Sequence, residues 1–434
     1  MPYKLLPHQE EMLKLQYKVP WLLNASAPGV GKTLPQIAMA VENPTKSMLV
    51  VCPAYLIRNW VREFKRFGDI DAAIYPKTSR VTIVSVDAAW KAEAVFKQAN
   101  ILCVDEAHFL GNMEARRTDA IHKYIAKFLP ERLILLSGTP MKNRIGELYS
   151  LLMLLHYQPT NRKRGFWEAY PKSWNFKEAF MHKKQVNFGK RRTFLFQGSK
   201  NLDVLKQWLD PLMIRYELSD IADMPDLVEE VVSCVTWEND IDFVTEMMTD
   251  EVLETGWQGM AQFGGEPPQH VSSAKKHSAI LKVPFTAEYA ANLLKNEQDG
   301  LLIFSDHIDS TKLLCANLQK RGFKADFITG GTPLGIRDTL QQRFQNKEID
   351  VLCGTIGSMG TGVTLTRTNV AIFNDRSYVP ANNMQAIKRI LRIGQNKPCL
   401  QVSICREGVD ERINRMLIEK EKVIDETIQA KRTI

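Results

Sequence analysis

Eight residues, Ser26 to Thr33 (SAPGVGKT), have the types and spacing to hold a phosphate chain. Gly29 and Gly31 let the backbone come close to phosphate oxygens, with successive N–H groups turned toward one anion. Pro28, Gly29, Val30, Gly31, Lys32 and Thr33 form the expected cradle. Lys32 is placed to bridge terminal phosphates, and the Thr33 hydroxyl to hold magnesium. A helical pattern opening after Lys32 adds the positive end of its dipole. The first position of the motif is Ser26 where the usual pattern has glycine. By itself such a loop implies phosphate binding and nothing more.

The partner groups appear downstream. In ILCVDEAH (101–108), Asp105 ends an apolar run, where it can hold the same magnesium ion, and Glu106 can polarise an attacking water. The loop and the acidic pair together point to nucleotide hydrolysis. LSGTP (136–140) ends another apolar run. Its Ser137 and Thr139 hydroxyls, with His108, are candidates for coupling the nucleotide site to a neighbouring element. Gln9, about twenty residues before the loop, could reach an adenine edge. Far along the chain, Gln385, Arg389 and Arg392 are spaced four and three apart, which predicts one helix face. The two arginines could meet a terminal phosphate as arginine fingers. Gly360, in the glycine-rich GSMGTGV (357–363), would permit close backbone approach to a ligand.

Apolar runs of three to six residues position these groups. They are Trp21–Leu23, MLVVC (48–52), VTIVSV (81–86), ILCV (101–104) and LILL (133–136). Continuous apolarity alternating with helical patterns predicts strands buried on both faces of a parallel sheet. Chemistry in such folds gathers at the carboxyl ends of the strands. A possible strand over Val228–Trp237 and a Gly/Gln/Pro-rich stretch (255–270), read as a flexible loop, precede a second series. That series comprises LLIF (301–304), ADFI (325–328), DVLC (350–353), VAIF (370–373) and LQVSI (400–404). The tail, 409–432, has helical periodicity and reads as a brace helix.

With 434 residues, two or three domains are expected. The seven cysteines form no CxxC pair, which argues against a zinc or disulfide framework and for buried thiols in a reducing compartment. The opening residues lack a signal-peptide core and no run is long enough to span a membrane, so a cytoplasmic location in a bacterial or viral-host cell is expected. Charge is unevenly placed: 156–200 carries eleven Lys/Arg against two acids, +9 within a chain of net +8. Aromatics are interleaved through the same segment, a composition that suits a polyanion such as DNA. Lys190, Arg191 and Arg192 are its candidate DNA contacts.

The order phosphate loop, DEAH, SGTP resembles superfamily-two helicases and translocases. NRIGELYSLLMLL (143–155), the arginine-bearing RILRIGQ (389–395) and Pro380 are similar to the Swi/Snf-type branch. AKKHSAILKV (274–283) and LLIFSDHIDS (301–310) are most similar to the HepA-related annealing helicases. The resemblance implies an α/β protein of two tandem RecA-like lobes, with parallel sheets facing an ATP cleft, a basic insertion and a C-terminal brace helix. Lobe 1 is expected over 1–225, with the insertion at 156–200, and lobe 2 over 226–434. The implied activity is ATP- and magnesium-dependent translocation on duplex DNA by a monomer, remodelling branched DNA. The alternatives are a strand-separating DNA or RNA helicase and a static ATP-gated clamp.

Overall fold

The computed structural model describes residues 4–157, 165–188, 191–234, 269–296, 298–359, 365–392 and 394–428. The chain divides into two compact units, one comprising residues 1–182, 198–222 and 423–434 and the other 183–197 and 223–422.

The expected apolar runs all become strands. In chain order the strands up to residue 214, expected or not, are β1 (Trp21–Asn24), β2 (Met48–Cys52), β3 (Ala73–Ile74), β4 (Val81–Ser85), β5 (Ile101–Asp105), β6 (Arg132–Leu136), β7 (His182–Phe188), β8 (Arg191–Gln197) and β9 (Met213–Ile214). Seven of them form a sheet in the order β3-β4-β2-β5-β6-β1-β9, with every neighbouring pair parallel. Register decides where the chemistry falls. Asp105 lies beside Leu136, and Leu136 beside Asn24, so β5, β6 and β1 end level with one another. Whatever follows those strands emerges along one short stretch of the sheet's carboxyl edge.

The helix Ile57–Gly68 follows β2 and turns only Trp60 and Phe64 fully inward, four residues apart on one face. With Ile37, Val50, Cys52, Ile83 and Cys103 they form one core against the sheet. Full burial of a side chain such as Phe64 contributes about 2 kcal/mol. The helix stops where Asp69 enters the left-handed region at φ 48°.

In the second unit β10 (Leu227–Ser233), β11 (Leu301–Ser305), β12 (Ala325–Ile328), β13 (Val351–Thr355), β14 (Val370–Phe373) and β15 (Cys399–Cys405) make a second sheet. Its order is β10-β15-β14-β11-β13-β12, again parallel throughout. Alternate residues of β11 and β13 enter two different cores, Leu301 and Ile303 one and Leu302 and Phe304 the other. Cover on both faces explains why these strands read as unbroken apolar runs.

Four strands went unforeseen. β3 and β9 have two residues each, and β7 (HKKQVNF) and β8 (RRTFLFQ) mix basic and polar residues with a few apolar ones. The strand expected over Val228–Trp237 is β10, and residues 235–237 lie outside the described ones. Of the loop expected at 255–270, residues 255–268 lie outside the described residues, and Gln269 already begins the helix Gln269–Leu281. The tail forms the helix Val409–Ile428, whose residues 409–422 belong to the second unit and are tied to it by Arg376 to Glu421 at 3.0 Å and by Lys420 Nζ to the Tyr378 carbonyl at 3.1 Å. No described helix is long and apolar enough to cross a membrane.

Several described aromatics of the basic insertion are packed away from solvent. Phe166, Phe176 and Phe180 are buried and pack with Tyr170, Tyr149 and Trp208. Trp167, Trp174 and Phe194 remain exposed.

Candidate active site

Glycine is required twice in the loop after β1, since Gly29 has φ 93° and Gly31 φ 79°. A Cβ on Gly31 would lie 2.3 Å from Gln9 Nε2. Gln9 therefore underlies the loop: Nε2 donates to the Gly31 carbonyl at 3.3 Å, and Oε1 accepts the Leu6 N–H at 3.0 Å. His8 Nε2 holds the Val30 carbonyl at 2.9 Å. Ser26, in the place of the usual glycine, is fully buried. Its hydroxyl accepts the Tyr216 N–H at 3.0 Å, just beyond β9, and its own N–H donates to Asn24 Oδ1 at 3.1 Å. The serine hydroxyl thus adds a side-chain bond to the backbone ties of Ala25 N–H to the Ile214 carbonyl and Ala27 N–H to the Tyr216 carbonyl, both at 2.8 Å. Lys32 Nζ donates to the carbonyls of Ser26 at 2.6 Å and Ala27 at 3.0 Å, spanning the loop. Thr33 opens the helix Thr33–Glu42 immediately behind it.

Both oxygens of Asp105, at the end of β5, are engaged. Trp60 Nε1 donates to Oδ2 at 2.9 Å, and the Glu106 N–H donates to Oδ1 at 2.9 Å. Burial and the neighbouring Glu106 charge push the Asp105 carboxyl up to about 6. Glu106 sits in the left-handed region at φ 51°, which costs a non-glycine residue on the order of 1 kcal/mol. That turn brings Glu106 Oε2 to 3.2 Å from His108 Nδ1, and the same nitrogen lies 3.1 Å from Ser137 Oγ. Nδ1 carries at most one hydrogen, so the two contacts compete. Burial pushes the Glu106 carboxyl up, but His108 and the charges of Lys32 and Lys142 outweigh it and hold the group below its ordinary value. Burial lowers His108, which favours the neutral ring. Ser137 Oγ also accepts the Thr139 N–H at 3.3 Å. Pro28 of the loop packs on Gly138. Three motifs named separately in the sequence are thus in direct contact at the ends of β1, β5 and β6.

Sequence reasoning missed several residues here. Trp60 bonds Asp105, and Lys142 bears electrostatically on Glu106 while burial lowers its own ammonium. Glu147 Oε2 fixes the turn beneath them by accepting the N–H groups of Lys142 at 2.8 Å and Asn143 at 3.1 Å. The only signal for Trp60 was a large aromatic on the inner face of an otherwise charged helix.

In the second unit one expectation is corrected. The helix carrying Gln385 runs Pro380–Ile387 and ends before Arg389 and Arg392. Its continuation is a series of tight turns, with Arg389 N–H on the Ala386 carbonyl and Ile390 N–H on Ile387. The Arg389 carbonyl, which a longer helix would use internally, accepts the Leu365 N–H at 3.0 Å. Arg389 is 5% exposed, and burial lowers Arg392. Gly360 and Lys190 lie outside the described residues, and Arg191 and Arg192 are placed in β8.

The residues expected to hold magnesium offer one carboxylate and one hydroxyl. Among the described residues no three His, Cys, Asp or Glu side chains cluster as a metal site. One carboxylate, Asp105, and one hydroxyl, Thr33, match magnesium's habit of taking few protein ligands alongside phosphate oxygens and water.

Residues 12–264 match the family model described as the SNF2-related domain, and residues 286–394 match the helicase conserved C-terminal domain. YwqA of Bacillus subtilis, named as an ATP-dependent helicase/translocase, is 26% identical, aligned over 94% of this chain and 46% of its own. The DNA annealing helicase and endonuclease ZRANB3 of Mus musculus is 25% identical, over 99% of this chain and 41% of its own. The chain therefore spans less than half the length of these relatives. Among solved structures, the Sulfolobus solfataricus SWI2/SNF2 ATPase core in complex with dsDNA aligns over 98% of this chain and 93% of that one, at 19% identity and a TM-score of 0.41.

Proposed function

This chain belongs to the SNF2-related family, and on that premise we propose that it is an ATP-dependent translocase on duplex DNA that remodels branched DNA by branch migration, fork regression or annealing. The observation that carries the reading is the placement of His108 Nδ1, 3.2 Å from Oε2 of the water-orienting candidate Glu106 and 3.1 Å from Ser137 Oγ of the neighbouring motif, so that it can pair with one or the other. A nucleotide-driven motor needs such a link, because hydrolysis must be felt outside the phosphate site.

In this reading the loop 28–33 cradles the phosphates through backbone N–H groups. Lys32 exchanges its two carbonyl partners for phosphate oxygens. Gln9 supports the loop from below and stays the candidate for an adenine contact. Bound magnesium, held by Asp105 and the Thr33 hydroxyl, would neutralise charge developing on the phosphates. Glu106, ionised and on a rigid turn, orients the attacking water. Arg389 and Arg392 are the proposed positive partners of the terminal phosphate, with Gln385 and Gly360 nearby in sequence. His108, Ser137 and Thr139 carry the change onward. Lys190, Arg191 and Arg192 hold DNA through its phosphates.

The relative named a DNA annealing helicase supports remodelling as the task. The match of residues 286–394 to a helicase C-terminal domain keeps a strand-separating DNA or RNA helicase as the second reading. ATPase rates with duplex, single-stranded, forked and four-way DNA, and with RNA, separate the two. Strongest stimulation by duplex or four-way DNA without unwinding of a simple fork supports the translocase. Strongest stimulation by RNA, or by single strands with unwinding, favours the second reading.

A further inference from the structure

We propose that Trp60 is a positioning residue for the metal-holding carboxylate of Asp105, fixing its plane from within the core. The inference rests on the reading of Asp105 as the magnesium carboxylate.

Trp60 is 1% exposed and lies in the core between the helix Ile57–Gly68 and the first sheet, its ring 5.7 Å from that of Phe64. An indole N–H so placed needs an acceptor, and the one it has is Asp105 Oδ2 at 2.9 Å, 45 residues away in sequence. The second carboxylate oxygen accepts the Glu106 N–H at 2.9 Å. The terminal torsion of an aspartate is otherwise broad and nearly two-fold. Two donors acting on different oxygens remove that freedom. One is backbone on a strained turn and the other is a ring locked by packing, so neither can follow the carboxylate if it rotates. A metal-binding carboxylate oriented this way offers its remaining lone pairs in one fixed direction, and losing such outer partners typically weakens metal affinity 10- to 100-fold. If Trp60 were only a core residue that had found the nearest acceptor, its N–H would matter to folding and not to metal.

Trp60→Phe keeps the ring and removes the donor. In the full chain carrying ADP, Mn2+ affinity measured by electron paramagnetic resonance is expected to fall about tenfold. ADP affinity in EDTA should change less than twofold and unfolding should stay cooperative. Trp60→His, which restores a ring N–H, should recover part of the loss. Unchanged Mn2+ affinity in a folded Trp60→Phe chain overturns the proposal. Should that variant not fold, the wild-type chain with 15N-labelled indoles still decides. One of its eight tryptophan N–H signals, protected from exchange, should broaden with Mn2+–ADP and not with Mg2+–ADP; no responding signal overturns the proposal. A wild-type chain that binds no Mn2+–ADP sinks the reading of the site itself, a result distinct from failure at Trp60.

Discussion

Pro28 and Gly138 meet so closely that a Cβ on Gly138 would lie 2.6 Å from Pro28 Cδ and 3.1 Å from its backbone nitrogen. The obstacle is a ring and a backbone, not the end of a flexible side chain, so nothing can swing aside. Gly138→Ala must therefore displace the phosphate loop. Nucleotide affinity, followed with a fluorescent ADP analogue, should fall by about tenfold, equivalent to ~1.4 kcal/mol, while the far-ultraviolet circular dichroism is unchanged. Affinity equal to wild type would show that the loop does not depend on this contact.

Glu106→Gln removes the charge that orients water but keeps the shape of the turn. Hydrolysis at saturating ATP should fall by about 10²- to 10³-fold, with nucleotide affinity retained. His108→Ala should leave DNA-independent hydrolysis closer to wild type and reduce its stimulation by DNA, because His108 stands between Glu106 and Ser137. Equal stimulation in the His108 variant would remove the bridge from the mechanism.

His122 gives the first unit an acid-sensitive point. Its Nε2 pairs with Ser150 Oγ at 2.8 Å, and burial holds the imidazole down at about 4, with Asp119 opposing. In the unfolded chain it titrates near 6.5, so between those values the unfolded state binds the proton more tightly. This contribution is complete above about pH 6.5 and is lost as pH falls towards 4, by at most ~3 kcal/mol. Urea midpoints at pH 7 and pH 5 should differ more for wild type than for His122→Gln. An identical pH dependence in the variant would contradict the assignment.

Much of this site was legible because strand burial and motif order are local properties. Ile101–Val104 and Leu133–Leu136 read as doubly buried strands, and parallel register then brought Asp105, Ser137 and the loop together. The helix end before Arg389 was not legible, because no capping or breaking residue marks it, and the Arg389 carbonyl is bonded instead by the Leu365 N–H, a contact across 24 positions. Trp60 was missed for the same reason, its acceptor being remote in sequence. The two-stranded sheet of β7 and β8 was missed because basic and polar residues dominate both strands, leaving only Val186, Phe188 and the three-residue run Phe194–Phe196 apolar. The aromatics of the same insertion divide between two roles that composition cannot separate, Phe166, Phe176 and Phe180 being buried and Trp167, Trp174 and Phe194 exposed.

The basic insertion gives a salt-dependent prediction. Charge reversal of Lys190, Arg191 and Arg192 should weaken duplex binding and reduce the slope of log affinity against log salt by up to about 2 to 3. Fluorescence anisotropy between low and moderate salt measures it. An unchanged slope would make the segment a solvated face.

Displacement of a third strand from a DNA triplex tests the central claim most directly, because a duplex translocase strips it without opening the duplex. The wild-type chain should release the third strand only with ATP and magnesium, and Lys32→Ala should release none. A third strand left in place while the wild-type chain hydrolyses ATP on the same DNA would contradict translocation.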